Sequence, residues 1–98
     1  MRVIWTPEAQ QDRAAIWDFI AADSPRAAAH VDLLFSDAAA RLRDPPKLGR
    51  PGKIAGTCEL IPHDSYRLVY EISNETVWVL TLINTSRQRP PLRRQNAL

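Results

Sequence analysis

The spacing of apolar residues along this chain changes twice, and each change announces a different kind of element. Arg2-Val3-Ile4-Trp5 is a short β-prone run stopped by Thr6-Pro7. Thr6 can accept a backbone hydrogen bond as N-cap, and Pro7 suits the first helical position. From there Ala9, Ile16, Trp17 and Ile20 fall at helical spacing. Glu8, Asp12 and Asp18 leave the other side polar and place acid near the positive N-terminal end. The same device recurs at Ser24-Pro25, ahead of an apolar stripe of Ala28, Val31, Leu34, Phe35, Ala38 and Leu42 in an alanine-rich helix that Asp44-Pro45-Pro46 ends. Only Ala21 to Ser24 separates the two helices, which therefore form an antiparallel hairpin or a sharply angled pair.

After a loop over residues 45–56 the period shortens to that of strands. One follows the loop at Cys58-Glu59-Leu60-Ile61, a second spans Tyr66 to Ile72 and a third Thr76 to Ile83, with Ser73-Asn74-Glu75 as a tight turn between the last two. In the third strand both alternating sets are apolar: Val77, Val79 and Ile83 on one side, Trp78, Leu80 and Leu82 on the other. It should be covered on both faces, by the helical pair and by the C-terminal tail or a partner chain. The order predicted is βααβββ, an α+β fold in which an N-terminal strand and a helical hairpin pack on a small, mainly antiparallel sheet. Residues 1–98 read as a single domain, without internal repeats or low-complexity segments.

Length and charge sharpen this picture. A chain of 98 residues buries one modest core and stands to gain stability from a partner. The net charge is +2, but it is unevenly placed. Residues 1–46 carry five arginines against seven acids, whereas residues 47–98 carry eight cations against four acids. A basic C-terminal half suits an acidic protein or a phosphate backbone, and composition does not choose between them. Cys58 is the single cysteine, and the N-terminus lacks a basic head followed by a long apolar run, so the compartment expected is the cytoplasm. No stretch has the apolar length of a membrane-spanning helix.

Few residue groupings point to chemistry. Gly49-Arg50-Pro51-Gly52-Lys53 could cradle a phosphate with backbone amides and two cations, but it lacks the glycine-lysine-serine/threonine ending and the following helix of a nucleotide-binding loop. A shaped loop whose glycines permit positive φ explains it equally well. His30, His63 and Cys58 are not at metal-ligand spacing, so neither metal nor cofactor is expected. Cys58 reads as a small, half-buried strand residue. Arg67 interrupts a strand of Leu, Val and Tyr, where a long cation either reaches the edge or is aimed at something. Arg87 and Arg89 follow the most apolar strand. A positive patch of Arg67 and Arg87 at the ends of adjacent strands is the functional reading, and a plain basic tail is the other.

Across nearly its whole length the chain resembles the ParE/RelE superfamily of type II toxin–antitoxin toxins. The resemblance rests on Trp5-Thr6-Pro7-Glu8-Ala9 with Asp12, Ile16-Trp17-Asp18-Phe19-Ile20, Ser24-Pro25-Arg26-Ala27-Ala28, and the run from Leu42 to Gly52. It continues through Gly56-Thr57-Cys58-Glu59-Leu60, Tyr66-Arg67-Leu68-Val69-Tyr70 and Arg87-Gln88. It implies a toxin that inhibits bacterial growth and is neutralised by a cognate antitoxin. The ParE-like branch, which this chain resembles more, is associated with poisoning of DNA gyrase; the RelE-like branch cuts messenger RNA on the ribosome. The residues expected to meet target or antitoxin are Arg50, Lys53, Arg67, Arg87 and Arg89; in a ribonuclease, Lys53, Arg67 and Arg87 would stabilise charge.

Three positions depart from the family pattern, which usually has arginine in place of Cys58, histidine in place of Asn84 and an aromatic residue in place of Arg89. They leave open an attenuated toxin that retains only antitoxin binding. RNA cleavage needs a group to take a proton from a ribose hydroxyl and another to return one. For those steps the chain offers Glu59, His63 and Tyr66, none matching a known catalytic position. A gyrase poison needs only a shaped surface, and that is the reading the sequence favours.

Overall fold

A computed structural model describes residues 1–43 and 49–85. The chain runs β1 (Arg2–Trp5), α1 (Pro7–Ala21), α2 (Pro25–Arg41), β2 (Arg50–Pro51), β3 (Cys58–His63), β4 (Tyr66–Ser73) and β5 (Thr76–Asn84). The five strands form one sheet in the order β1-β5-β4-β3-β2, parallel between β1 and β5 and antiparallel elsewhere. This is the α+β layout expected from the pattern, with one addition. The loop after α2 contributes the two-residue edge strand β2, too short and too proline-bound to show a period.

Both helices start where the caps were read. Thr6 Oγ1 accepts from the Ala9 N–H at 3.1 Å and Ser24 Oγ from the Ala27 N–H at 3.1 Å, each with proline at the first helical turn. The hairpin packs on one face of the sheet, α1 mainly on β5 and α2 on β3. Phe35, Leu42, Leu68, Tyr70, Val77 and Val79 fill the layer between, each no more than 1% exposed. Burying a side chain of that size stabilises the fold by about 1.5–3 kcal/mol. Phe35 meets Tyr66 edge-on, with ring centroids 5.5 Å apart. The α2 stripe is placed as predicted, except that Leu34 is half-buried and Ala39 joins it. Trp17, expected on the core side of α1, is instead 39% exposed.

Arg13 ties α1, α2 and β1 together. Its Nε and Nη2 donate to the two carboxylate oxygens of Asp32 at 2.6 and 2.9 Å, Nη2 also reaches Ser36, and the guanidinium lies 4.7 Å from the Trp5 ring centre. The turn between β4 and β5 is Asn74-Glu75, with φ of 52° and 64°. Positive φ at both central residues is what a two-residue hairpin needs to match strand twist.

The main departure lies in β5. Val79 pairs with Tyr70 but Thr81 pairs with Val69, so Leu80 is an extra residue and the strand carries a bulge. The alternation therefore changes phase. Val77, Val79 and Leu82 lie in the core, while Trp78 and Ile83 fall on the other side. The expectation that Ile83 shares a face with Val77 and Val79, and Leu82 with Trp78, is thus corrected. Away from the core Trp78, Leu80 and Ile83 are half-buried, and the C-terminal tail expected to cover them lies outside the described residues.

The helix start holds this bulge in place. The Thr6 N–H donates to the Val79 carbonyl at 3.0 Å, and the Thr6 hydroxyl points at the Val79 and Leu80 carbonyls at 3.0 and 3.2 Å. Beyond the end of β1 the edge of β5 would lack a strand partner. There Asp12 Oδ2 accepts from the Thr81 hydroxyl at 2.6 Å and from the Leu82 N–H at 3.1 Å. An acid that reads as the polar side of α1 thus stands in for a missing strand.

Candidate functional site

The sheet face turned away from the helices carries two of the cations that sequence reasoning singled out, Arg50 and Arg67. Pairing aligns Arg50 of β2 with Glu59 of β3, and Glu59 with Val69 of β4, so these three project to one side, with Arg67 diagonal to Glu59. Thr81 and Ile83 continue the rows on β5, opposite Val69 and Arg67. Lys53 lies exposed in the loop between β2 and β3. Arg87 and Arg89 lie outside the described residues, as do Asp44-Pro45-Pro46.

Glu59 is the residue whose importance the sequence did not show. Its side chain is 6% exposed and its Oε1 faces two guanidiniums, Arg67 Nη1 at 3.4 Å and Arg50 Nε at 3.9 Å. Arg67 is 28% exposed and Arg50 55% exposed. The acid therefore lies beneath the cations. Both separations exceed the 2.7–2.9 Å typical of a tight charge-assisted hydrogen bond, so each guanidinium retains donors for an outside group.

The loop before β3 is shaped by close approach rather than by strained backbone. A Cβ on Gly49 would stand 2.6 Å from both the Glu59 carbonyl oxygen and the Tyr70 hydroxyl, and one on Gly52 would collide with the Thr57 hydroxyl. Of the three glycines in this loop only Gly56, at φ 87°, uses positive φ, which corrects for Gly49 and Gly52 the reading that the loop's glycines serve to permit it. The Gly49 N–H donates to Tyr70 Oη at 2.9 Å. Burial pushes the Tyr70 phenol above its ordinary value; the Gly49 hydrogen bond opposes that shift, and the neighbouring Cys58 adds to it. Cys58 sits opposite Tyr70 against the core, half-buried as expected.

The other candidates are dispersed. His63 Nδ1 accepts from the Ser65 N–H at 3.0 Å, and Tyr66 is 4% exposed beneath Phe35. Asn84 ends β5 opposite Tyr66 and borders a groove of about 380 Å³ between α1 and the β5 edge, where Phe19, Ile16 and Leu82 supply the apolar walls. Among the described residues no group of three or more His, Cys, Asp or Glu side chains could hold a metal ion, and no helix is long and apolar enough to cross a membrane.

Comparison with known proteins decides what this architecture is. Residues 3–89 match the family model of the ParE toxin of the type II toxin–antitoxin system parDE. The chain belongs to the ParE toxin family. It is 37% identical over 90 residues to Y4kP of Sinorhizobium fredii (strain NBRC 101917 / NGR234), a presumed toxin, across 91% of this chain and 93% of that one. Two solved structures share the fold. A chain of the chromosomal ParDE system of P. aeruginosa superposes with a TM-score of 0.76 at 19% identity, covering 86% of this chain and 95% of that one. A YoeB/ParE toxin of Agrobacterium tumefaciens gives 0.62 at 18% identity, covering 86% and 98%. The family is that of the toxin of the parDE toxin–antitoxin system, and membership implies an antitoxin partner.

Proposed function

We propose that this ParE-family toxin inhibits bacterial growth from within the cytoplasm by binding and poisoning DNA gyrase, and that an acidic, partly disordered antitoxin neutralises it by folding over the basic sheet face and the helical hairpin. The supporting observation is the state of Arg67. A ribonuclease would aim the full charge of this cation at a crowded phosphorane, whereas here the buried carboxylate of Glu59 behind it offsets that charge, even though donors remain for an outside group. The other groups weighed for proton transfer are also engaged: the His63 Nδ1 in a hydrogen bond, the Tyr66 ring in the core. Arg50, Lys53 and Arg67 supply the described cations for an acidic partner; Arg87 and Arg89, outside the described residues, are proposed as further contacts on the strength of the sequence. Poisoning by surface contact requires no acid–base pair. Induction of the free toxin in bacteria tests this reading: it should produce filamentation and a DNA-damage response with transcripts intact. Codon-positioned cuts on primer extension that vanish with Arg87→Ala would overturn it in favour of a ribosome-dependent messenger-RNA endoribonuclease.

A further inference from the structure

From the arrangement around Glu59 we infer that this residue is a built-in counter-charge that keeps nucleic-acid phosphates off the outer sheet face, and so determines which class of partner that face accepts. The inference stands apart from the choice of target, because it concerns what the surface excludes.

Three features carry it. First, Arg50 and Arg67 come from strands on either side of β3 and converge on a single oxygen of Glu59. Second, the carboxylate lies beneath them, so any phosphate that approached both guanidiniums would also meet a fixed negative charge directly behind them. Third, Glu59 is nearly sealed from water, so its field is weakly screened by salt. Nucleic-acid binding without sequence preference depends on the number of phosphates neutralised and on the counterions thereby released. A carboxylate shared by two arginines lowers that number. A protein partner is less affected, since its contacts with the half-buried Trp78 and Ile83 on the same face do not depend on the charge of the arginines.

Neutralising the acid is also the structurally mild direction. Arg50 and Arg67 both reach solvent, so Glu59→Gln leaves no sealed, unpaired charge, unlike removal of the cations. The test titrates a fluorescein-labelled oligouridine with the full chain and its variants across a range of salt concentrations. Glu59→Gln should bind roughly threefold to tenfold tighter at about 50 mM salt, and its log–log salt slope should steepen by about 0.7, the increment for one more phosphate on a single strand. Adding Arg67→Gln to Glu59→Gln should abolish the gain. Glu71→Gln, the same charge change on the same face opposite Trp78, should produce a smaller gain, which separates a local effect from net charge. Any contribution from the arginines beyond residue 86 is common to every variant. Should Glu59→Gln fail to fold, Glu59→Leu makes the same charge change with an apolar side chain beside Val69. The inference is overturned if the neutralised variant that folds matches the wild type in affinity and slope, if Glu71→Gln gains as much, or if the gain survives loss of Arg67.

Discussion

Replacing Asp12 with alanine should destabilise this protein far more than loss of an acid on a helix flank ordinarily does. Asp12 Oδ2 accepts from both the Thr81 hydroxyl and the Leu82 N–H, where β5 runs past the end of β1. In Asp12→Ala both donors lose their acceptor. Leu82 is 6% exposed, so its amide has little access to water and bears most of the desolvation cost of an orphaned donor, about 1–3 kcal/mol. Thr81 is half-buried and its hydroxyl can turn toward solvent, which adds about 1 kcal/mol. The total is about 3 kcal/mol. For a chain of this length it corresponds to a fall in Tm of roughly 12–24 °C. Thermal melts followed by circular dichroism, with urea titrations to verify an unchanged m-value, measure it directly. Thr81→Val removes one of the two donors, so in a double-mutant cycle with Asp12→Ala it should show a coupling of about 1 kcal/mol. A loss below about 0.5 kcal/mol for Asp12→Ala, the usual range of surface substitutions, would refute the idea that this carboxylate replaces a strand.

Two other substitutions probe the loop that frames the outer face. The Tyr70 phenol titrates above its ordinary value in the folded chain, so the folded state holds that proton more tightly than the unfolded one. This contribution to stability is complete below the unfolded value near pH 10, where both states hold the proton, and is lost as pH rises through the folded value. Melts of Tyr70→Phe should therefore decline less steeply than wild type above about pH 10, and parallel curves would contradict this. Gly49→Ala should cost about 1–3 kcal/mol, the usual range for overpacking, because its methyl would press on the Glu59 carbonyl and the Tyr70 hydroxyl. A neutral result in urea titrations would mean that the loop yields freely.

The parts of the fold legible in the sequence are those specified locally. Thr6-Pro7 and Ser24-Pro25 display their helix starts because cap and proline act within one turn, and Asn74-Glu75 displays the hairpin because the connection is only two residues long. The β5 bulge was hidden for a physical reason. When both alternating sets of a strand are apolar, a one-residue change of phase leaves the pattern looking the same. The same bulge needs Thr6 and Asp12, from residues about seventy positions earlier, and nothing in a helical wheel separates an acid facing water from one facing a strand edge. Trp17 was misplaced because helical spacing alone does not say how wide the buried stripe is. At the candidate site, Arg67 stood out as a cation within an apolar strand, but its partner Glu59 is revealed only by the β3–β4 register. Family resemblance identified the class of protein, and it did so through motifs such as Thr6-Pro7-Glu8-Ala9 and Asp12, two of whose residues now have a structural role in holding β5.

The central claim, that this ParE-family toxin poisons gyrase by surface contact and does not cut RNA, is tested most directly with purified chain and two purified targets. Negative supercoiling of a relaxed plasmid by DNA gyrase is followed over a titration of toxin, beside cleavage of a ribosome-bound messenger RNA. The account predicts loss of supercoiling, accumulation of gyrase–DNA cleavage complexes and intact RNA. Undiminished supercoiling together with codon-positioned RNA cuts would contradict it.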